Sequence, residues 1–217
     1  MTLHRETVNV LLWDILDQLM RAQYLSKFRL VGGTSLSLLL GHRQSVDIDM
    51  FTDCEYGSID FLNILENLKS DFPYIDHNEW IKDSMGYSCF IGYSASELVK
   101  LDLFYTEQFK YDIIAFEQLR LSSLEEIVAM KLDIIGRGGR KKDFWDIHAL
   151  FDHFELSEML DFYSNRYPYH FTQTEIINQL TNFENADSDP DPYCLLGKYW
   201  ELIKYDFEDQ VNDYSKS

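Results

Sequence analysis

The stretch Leu30–Phe51, LVGGTSLSLLLGHRQSVDIDMF, gathers two glycines, a hydroxyl and two acids at spacings that suit phosphate and metal chemistry. An apolar run, Phe28 to Val31, leads into Gly32-Gly33, and Thr34-Ser35 then open a short apolar helix that ends near Gly41. Paired glycines let backbone N–H groups approach an anion at a helix N-terminus. After the polar loop His42–Ser45, Asp47 and Asp49 alternate with Val46, Ile48 and Met50. Side chains on a strand repeat every two residues, so both carboxylates face one side. Held that close they repel unless a positive charge lies between them, and their oxygens suit a hard divalent cation. A third acid, Asp102, sits in KLDLF, opposite in facing to Leu101 and Leu103. If that strand lies beside Val46–Phe51, Asp102 completes a triad with Asp47 and Asp49. Three acids around Mg²⁺ serve in-line phosphoryl or nucleotidyl transfer, and Gly32, Gly33 and Thr34 would cradle a triphosphate.

The elements that hold these residues can be read from periodicity. Val8, Leu11, Leu12, Ile15, Leu16 and Leu19 predict an amphipathic helix over roughly 5–25. A helix follows over Asp60–Leu68, then strand-like runs at Gly86–Tyr93, Leu98–Tyr105 and Tyr111–Phe116. Beyond Ser122 helical patterns dominate. Ser122 with Glu125 predicts a capping box, Gly136, Gly138 and Gly139 break that helix, and another runs over about 142–154. Later helices are expected at Leu156–Tyr167, Thr172–Phe183 and Leu195–Val211, with Asn185–Tyr193 (NADSDPDPY) as the clearest linker. The expected layout is α+β: a small α/β half over 1–120 with a mixed sheet and flanking helices, then a helical half over 121–217 that completes one cleft.

Composition excludes several classes. A chain of 217 residues with 46% hydrophobic and 15% aromatic content can bury a core and is not disordered. No apolar run reaches membrane-spanning length and no signal-peptide core follows Met1, so a cytoplasmic protein without a membrane partner is expected. Cys54, Cys89 and Cys194 are too widely spaced for a zinc knuckle and odd in number, and the six histidines form no zinc spacing. A formal net charge of −18 opposes broad nucleic-acid binding, although Arg137, Arg140, Lys141 and Lys142 form a local basic cluster.

The ordered set GGTSL, twelve residues from Ser35 to Val46, then Asp-Ile-Asp, resembles the G[GS]-x-D-x-D signature of the polymerase-β-like nucleotidyltransferase superfamily. The later segment EEIVAMKLDIIGRGGRKKDFWDIHAL resembles that of the AbiEii/AbiGii toxin family: a helix with a lysine, a basic turn, and a Lys/Arg-Asp-x-x-Asp helix start. The likeness covers about Phe28 to Phe154. It implies that Gly33 and Thr34 bind phosphate and that Asp47 and Asp49 bind metal. Lys131 would contact the nucleotide phosphates, Asp143 would be an essential acid, and Asp146 would be structural. Thr34 stands where the superfamily often has serine. The resemblance further implies Mg²⁺, an NTP substrate, a cognate antitoxin, and an acceptor that is RNA, such as a tRNA 3′ end, or protein.

Taken singly, each residue has a plainer account. Gly32-Gly33-Thr34 can be a turn and N-cap, Asp47 and Asp49 a solvated strand face, and Asp102 an edge-strand charge. Lys131 can be a solvent-facing lysine and Asp143 a charge matched to a helix dipole. Two other functions compete with a toxin of phage defence by abortive infection. A catalytically silent nucleotide-binding module would have lost a metal acid, and all three acids are present. A small-molecule enzyme acting on an aminoglycoside-type substrate would suit the acidic surface but not the segment around Lys131 and Asp143.

Overall fold

The computed structural model describes residues 2–77 and 85–216. The first helix, α1 (Val10–Arg21), is shorter than its apolar period suggests because Asn9 caps it, accepting from the Leu12 N–H at 2.8 Å. Short 3-10 turns, Arg5–Thr7 and Gln23–Leu25, flank it instead. Then come β1 (Arg29–Leu30), α2 (Gly32–Leu40), β2 (Asp47–Thr52) and α3 (Phe61–Asp71), capped by Asp60. The strands β3 (Tyr74–His77), β4 (Gly86–Ser94), β5 (Glu97–Tyr105), β6 (Ile113–Phe116) and β7 (Leu119–Ser122) complete one sheet.

That sheet has seven strands in the order β3-β4-β5-β2-β1-β7-β6. It is mixed: β2 pairs parallel with β5 and β1 with β7, and the other neighbours are antiparallel. The strand β7 is absent from the sequence reading, as is β3. The β6–β7 turn lacks the usual glycine or asparagine, and Glu117 takes the left-handed conformation there at φ 52°. Strand alternation buries Ile48, Met50, Leu101 and Leu103 completely, and α1 lies against β2, β5 and β7.

The helical elements are α4 (Leu124–Gly136), α5 (Lys141–Leu150), α6 (Leu156–Arg166), α7 (Gln173–Leu180), α8 (Glu184–Asp187) and α9 (Trp200–Tyr214). They close over a core that includes Leu132, Phe144, Tyr163, Ile203 and Phe207. The α4 cap lies one residue later than expected: Ser123, not Ser122, accepts from the Glu126 N–H at 3.4 Å. Glu126 is thereby turned inward, where it pairs with Arg166. The acidic stretch 185–193 is not a free linker. It includes most of α8, Asp189 accepts from the Lys141 N–H at 3.0 Å, and Asp191 pairs with Lys141 Nζ at 2.9 Å. Asp189 and Asp191 are thus held by the N-terminus of α5, where helix dipole and lysine both attract negative charge, while Asp187 accepts from Trp200 Nε1 at 2.7 Å. The last helix, α9, begins at Trp200 rather than Leu195, after an isolated bridge pairs Cys194 with Arg43.

The chain forms two compact units, one of Val8–Ser35 and Ser45–Ser122, the other of Met1–Thr7, Leu36–Gln44 and Ser123–Ser217. The loop carrying His42 and Arg43 therefore belongs with the helices. No helix among the described residues is long and apolar enough to cross a membrane.

Candidate active site

In the sheet unit the glycine turn sits directly on the acid strand. Gly32 has φ 65°, and a Cβ built there would lie 3.2 Å from Asp49 Oδ2. The Val31 N–H donates to the Asp49 carbonyl at 2.9 Å, which fixes the turn against β2. At the head of α2 the first N–H groups have no partner within the helix, as at any helix start. Thr34 is fully buried, and its hydroxyl donates to the Asp47 carbonyl and lies 2.7 Å from Ser45 Oγ. Its hydroxyl thus ties α2 to β2, which leaves its backbone N–H as its means of meeting an anion. Gly32→Ala is expected to cost about 1–2 kcal/mol, since an L side chain in that conformation is strained and would press on Asp49. Urea unfolding measures it, and an unchanged midpoint would refute the account.

The strand β5 does lie beside β2, and the register sets Asp49 opposite Asp102 and Asp47 opposite Lys100. All four side chains share a face. The structure adds two partners that the sequence reading did not assign to the site. Ser88 Oγ donates to Asp102 Oδ1 at 2.6 Å from β4, and Lys100 Nζ meets Asp102 Oδ2 at 2.5 Å. Burial alone would lower the Lys100 pKa, but Asp102, Asp49 and Asp47 outweigh it and hold the ammonium above its ordinary value. Both Asp102 oxygens are engaged in this arrangement, and among the described residues no three His, Cys, Asp or Glu side chains are drawn together as a ready-made cation site.

In the helical unit a buried ionic network surrounds the other predicted residues. Lys131, 4% exposed, pairs with Asp143 and with Asp146, each at 2.6 Å. The turn that brings Lys131 and Asp143 together uses Gly138 and Gly139 at φ 106° and 50°, conformations that favour glycine. Asp143 Oδ2 also accepts from the Arg140 N–H at 3.0 Å, starting α5. Asp146 accepts from Arg43 Nε at 2.7 Å, Arg43 Nη2 at 2.9 Å and His42 Nε2 at 2.8 Å. An ionised carboxylate only accepts, so Nε2 carries the His42 proton. His42 Nδ1 is buried without a hydrogen-bond partner.

The charges of this network respond to pH in one direction below neutrality. Burial lowers the His42 pKa below its ordinary 6.5 despite the attraction of Asp146. Burial alone would raise Asp146, but Arg43, Lys131 and the His42 hydrogen bond hold it well below the ordinary 3.8, and Lys131 holds Asp143 below it too. For His42, the unfolded chain takes up the proton first, so stability falls as pH drops below 6.5. The two aspartates contribute stability above their ordinary 3.8 that is lost as pH falls through their folded values. Urea midpoints are expected to decline from pH 7 to 5, and less so in His42→Gln, which keeps a donor to Asp146 but does not titrate. Equal slopes in the two proteins would contradict this.

The basic cluster is largely consumed by nearby acids. Arg137 pairs with Asp133 at 2.8 Å, Arg140 with Asp143 at 3.3 Å, and Lys141 with Asp191. All three cysteines are free thiols, and burial pushes Cys89 up to about 12.

A mixed sheet with an acid pair on β2, a third acid in register on β5 and a glycine turn entering a short helix defines a nucleotidyltransferase fold. The match to the AbiEii nucleotidyl transferase toxin of type IV toxin–antitoxin systems covers residues 14–215, and the chain belongs to that family. It is 23% identical over 209 residues to an uncharacterized protein of Aquifex aeolicus strain VF5, covering 93% of this chain and 94% of the relative. Among solved structures it resembles an H. pylori protein assigned as a nucleotidyltransferase, at 20% identity and TM-score 0.54, over 96% of this chain and 92% of that one. It also resembles MenT4, a nucleotidyltransferase toxin from Mycobacterium tuberculosis H37Rv, at 15% identity and TM-score 0.52, over 94% and 86%. At these identities the two structures speak to the fold.

Proposed function

We propose that this protein is a Mg²⁺-dependent enzyme that transfers a nucleotidyl group from an NTP to an RNA, such as a tRNA 3′ end, or to a protein hydroxyl. It would act in the cytoplasm as the toxin of a toxin–antitoxin pair that aborts phage infection, restrained by a cognate antitoxin. The observation that carries the reading is the pairing of Asp49 with Asp102 in register, with Gly32 closed against Asp49. The donors are of the type a hard cation takes, three carboxylates on one strand face that a cation would have to draw together, and Gly32 without a Cβ lies close against Asp49 at the helix start. Asp47, Asp49 and Asp102 would hold Mg²⁺, which when bound supplies charge neutralisation at phosphate and lowers the pKa of the attacking hydroxyl.

The chain's own part is to bind and orient. The N–H groups of Gly32, Gly33 and Thr34 would take phosphate oxygens at the start of α2. Asp102, held by Ser88, is fixed at the height of Asp49 and can serve as ligand or accept the hydroxyl proton. Lys131 and Asp143 enter by the family resemblance, as phosphate contact and acid. For that, Lys131 would exchange a carboxylate partner for a phosphate oxygen.

The test is incubation of purified protein and Mg²⁺ with each α-labelled NTP, with total RNA in one arm and cell-lysate protein in the other. Label appearing on one acceptor with one or more NTPs, and lost in Asp49→Asn, is the expected result. No transfer from any NTP in either arm would overturn the proposal.

A further inference from the structure

Lys100 lies two residues before Asp102 on β5 and opposite Asp47 on β2, so strand alternation puts its ammonium among the three acids. No predicted role requires it there, yet its Nζ is 2.5 Å from Asp102 Oδ2. The other Asp102 oxygen is taken by Ser88 from β4. A cation shared by the three carboxylates needs an Asp102 oxygen, and the one that faces no hydroxyl is the one that holds the lysine. Three acids on one strand face repel one another, and a lysine on the same face relieves that repulsion. Its side chain is 40% exposed, so withdrawal into solvent leaves no buried charge behind.

We propose that Lys100 is a tethered counter-ion that keeps the acid face in register in the cation-free protein and is displaced from Asp102 when a divalent cation enters. A divalent ion brings twice the charge of an ammonium to the same oxygens, so it wins once its concentration compensates for its own dehydration. Lys100 thereby sets the cation concentration at which the site fills. This rests on the reading of Asp47, Asp49 and Asp102 as the metal face.

Mn²⁺ binding to the full chain without nucleotide, followed by the EPR signal of free Mn²⁺, tests it in wild type, Lys100→Met, Lys100→Arg and Asp49→Asn. Lys100→Met is expected to bind Mn²⁺ about tenfold more tightly than wild type, because the competing charge is gone. Lys100→Arg, which keeps the charge, is expected to stay near wild type, and Asp49→Asn to lose binding. Equal affinity in wild type and Lys100→Met, with binding lost in Asp49→Asn, overturns the counter-ion and leaves the nucleotidyltransferase reading intact. No Mn²⁺ binding by either protein overturns both. A second measurement needs no neutral variant to fold: in wild-type protein carrying ¹³C-lysine, the Lys100 ε-carbon resonance, identified by its absence in Lys100→Arg, should shift on saturation with Mg²⁺. A resonance that stays in place while Mn²⁺ binds overturns the proposal.

Discussion

Asp49→Asn is expected to lower single-turnover nucleotide transfer by about a thousandfold or more while leaving the protein folded. Asp49 stands at the meeting of every element of the sheet unit that could handle an NTP. It is on β2, opposite Asp102 on β5, and its Oδ2 faces the Cβ-less side of Gly32. The amide keeps the shape and one oxygen, but it removes the charge that a hard cation requires. The change also removes one of three like charges from the face, so no loss of folding stability is expected to accompany it. Rapid-quench measurement with the NTP and acceptor found by the labelling screen, together with circular dichroism, checks both halves. A folded Asp49→Asn protein transferring at the wild-type rate would remove the acid face from the chemistry.

Asp146→Ala is expected to cost about 3–5 kcal/mol of folding stability. Asp146 is fully buried, and its two oxygens accept from Arg43, His42 and Lys131. Removing it takes the carboxylate from the buried Arg43 guanidinium, whose Nη1 still donates to the Gln44 carbonyl, and from the His42 N–H, and it leaves Lys131 with Asp143 as its remaining carboxylate. Burying a charge without its partner costs far more than the pair contributes when intact. Asp146→Asn, which keeps one acceptor oxygen, should fall between wild type and alanine. Arg43→Met in the Asp146→Ala background should recover part of the loss, because it removes one of the stranded charges. Urea unfolding of the four proteins decides the matter. A loss under about 1 kcal/mol for Asp146→Ala would mean that water or a rearranged side chain satisfies these groups.

Much of this protein is written in local pattern. Period-two alternation by itself placed Asp47 and Asp49 on one face and set Asp102 away from Leu101 and Leu103. The same rule puts Lys100 beside Asp102, so that residue was within reach of the sequence. Helical periods and glycine breaks located most of the helices to within a few residues, and the ordered glycine and acid motifs carried the family resemblance. These features repeat over a few residues, and their cause is the geometry of one strand or one helix. What needed the tertiary structure was partnership. That Thr34 spends its hydroxyl on the Asp47 carbonyl depends on how α2 packs on β2, and that Ser88 holds Asp102 depends on the register of β4 on β5. His42 and Asp146 are 104 residues apart and meet only because the loop after α2 belongs with the helices. The acidic stretch reads as a linker for the same reason: nothing local reveals that Lys141 will be buried beneath Asp191. Side-chain facing is a property of the backbone nearby, whereas the neutralisation of a buried charge is decided by whichever opposite charge the fold brings to it.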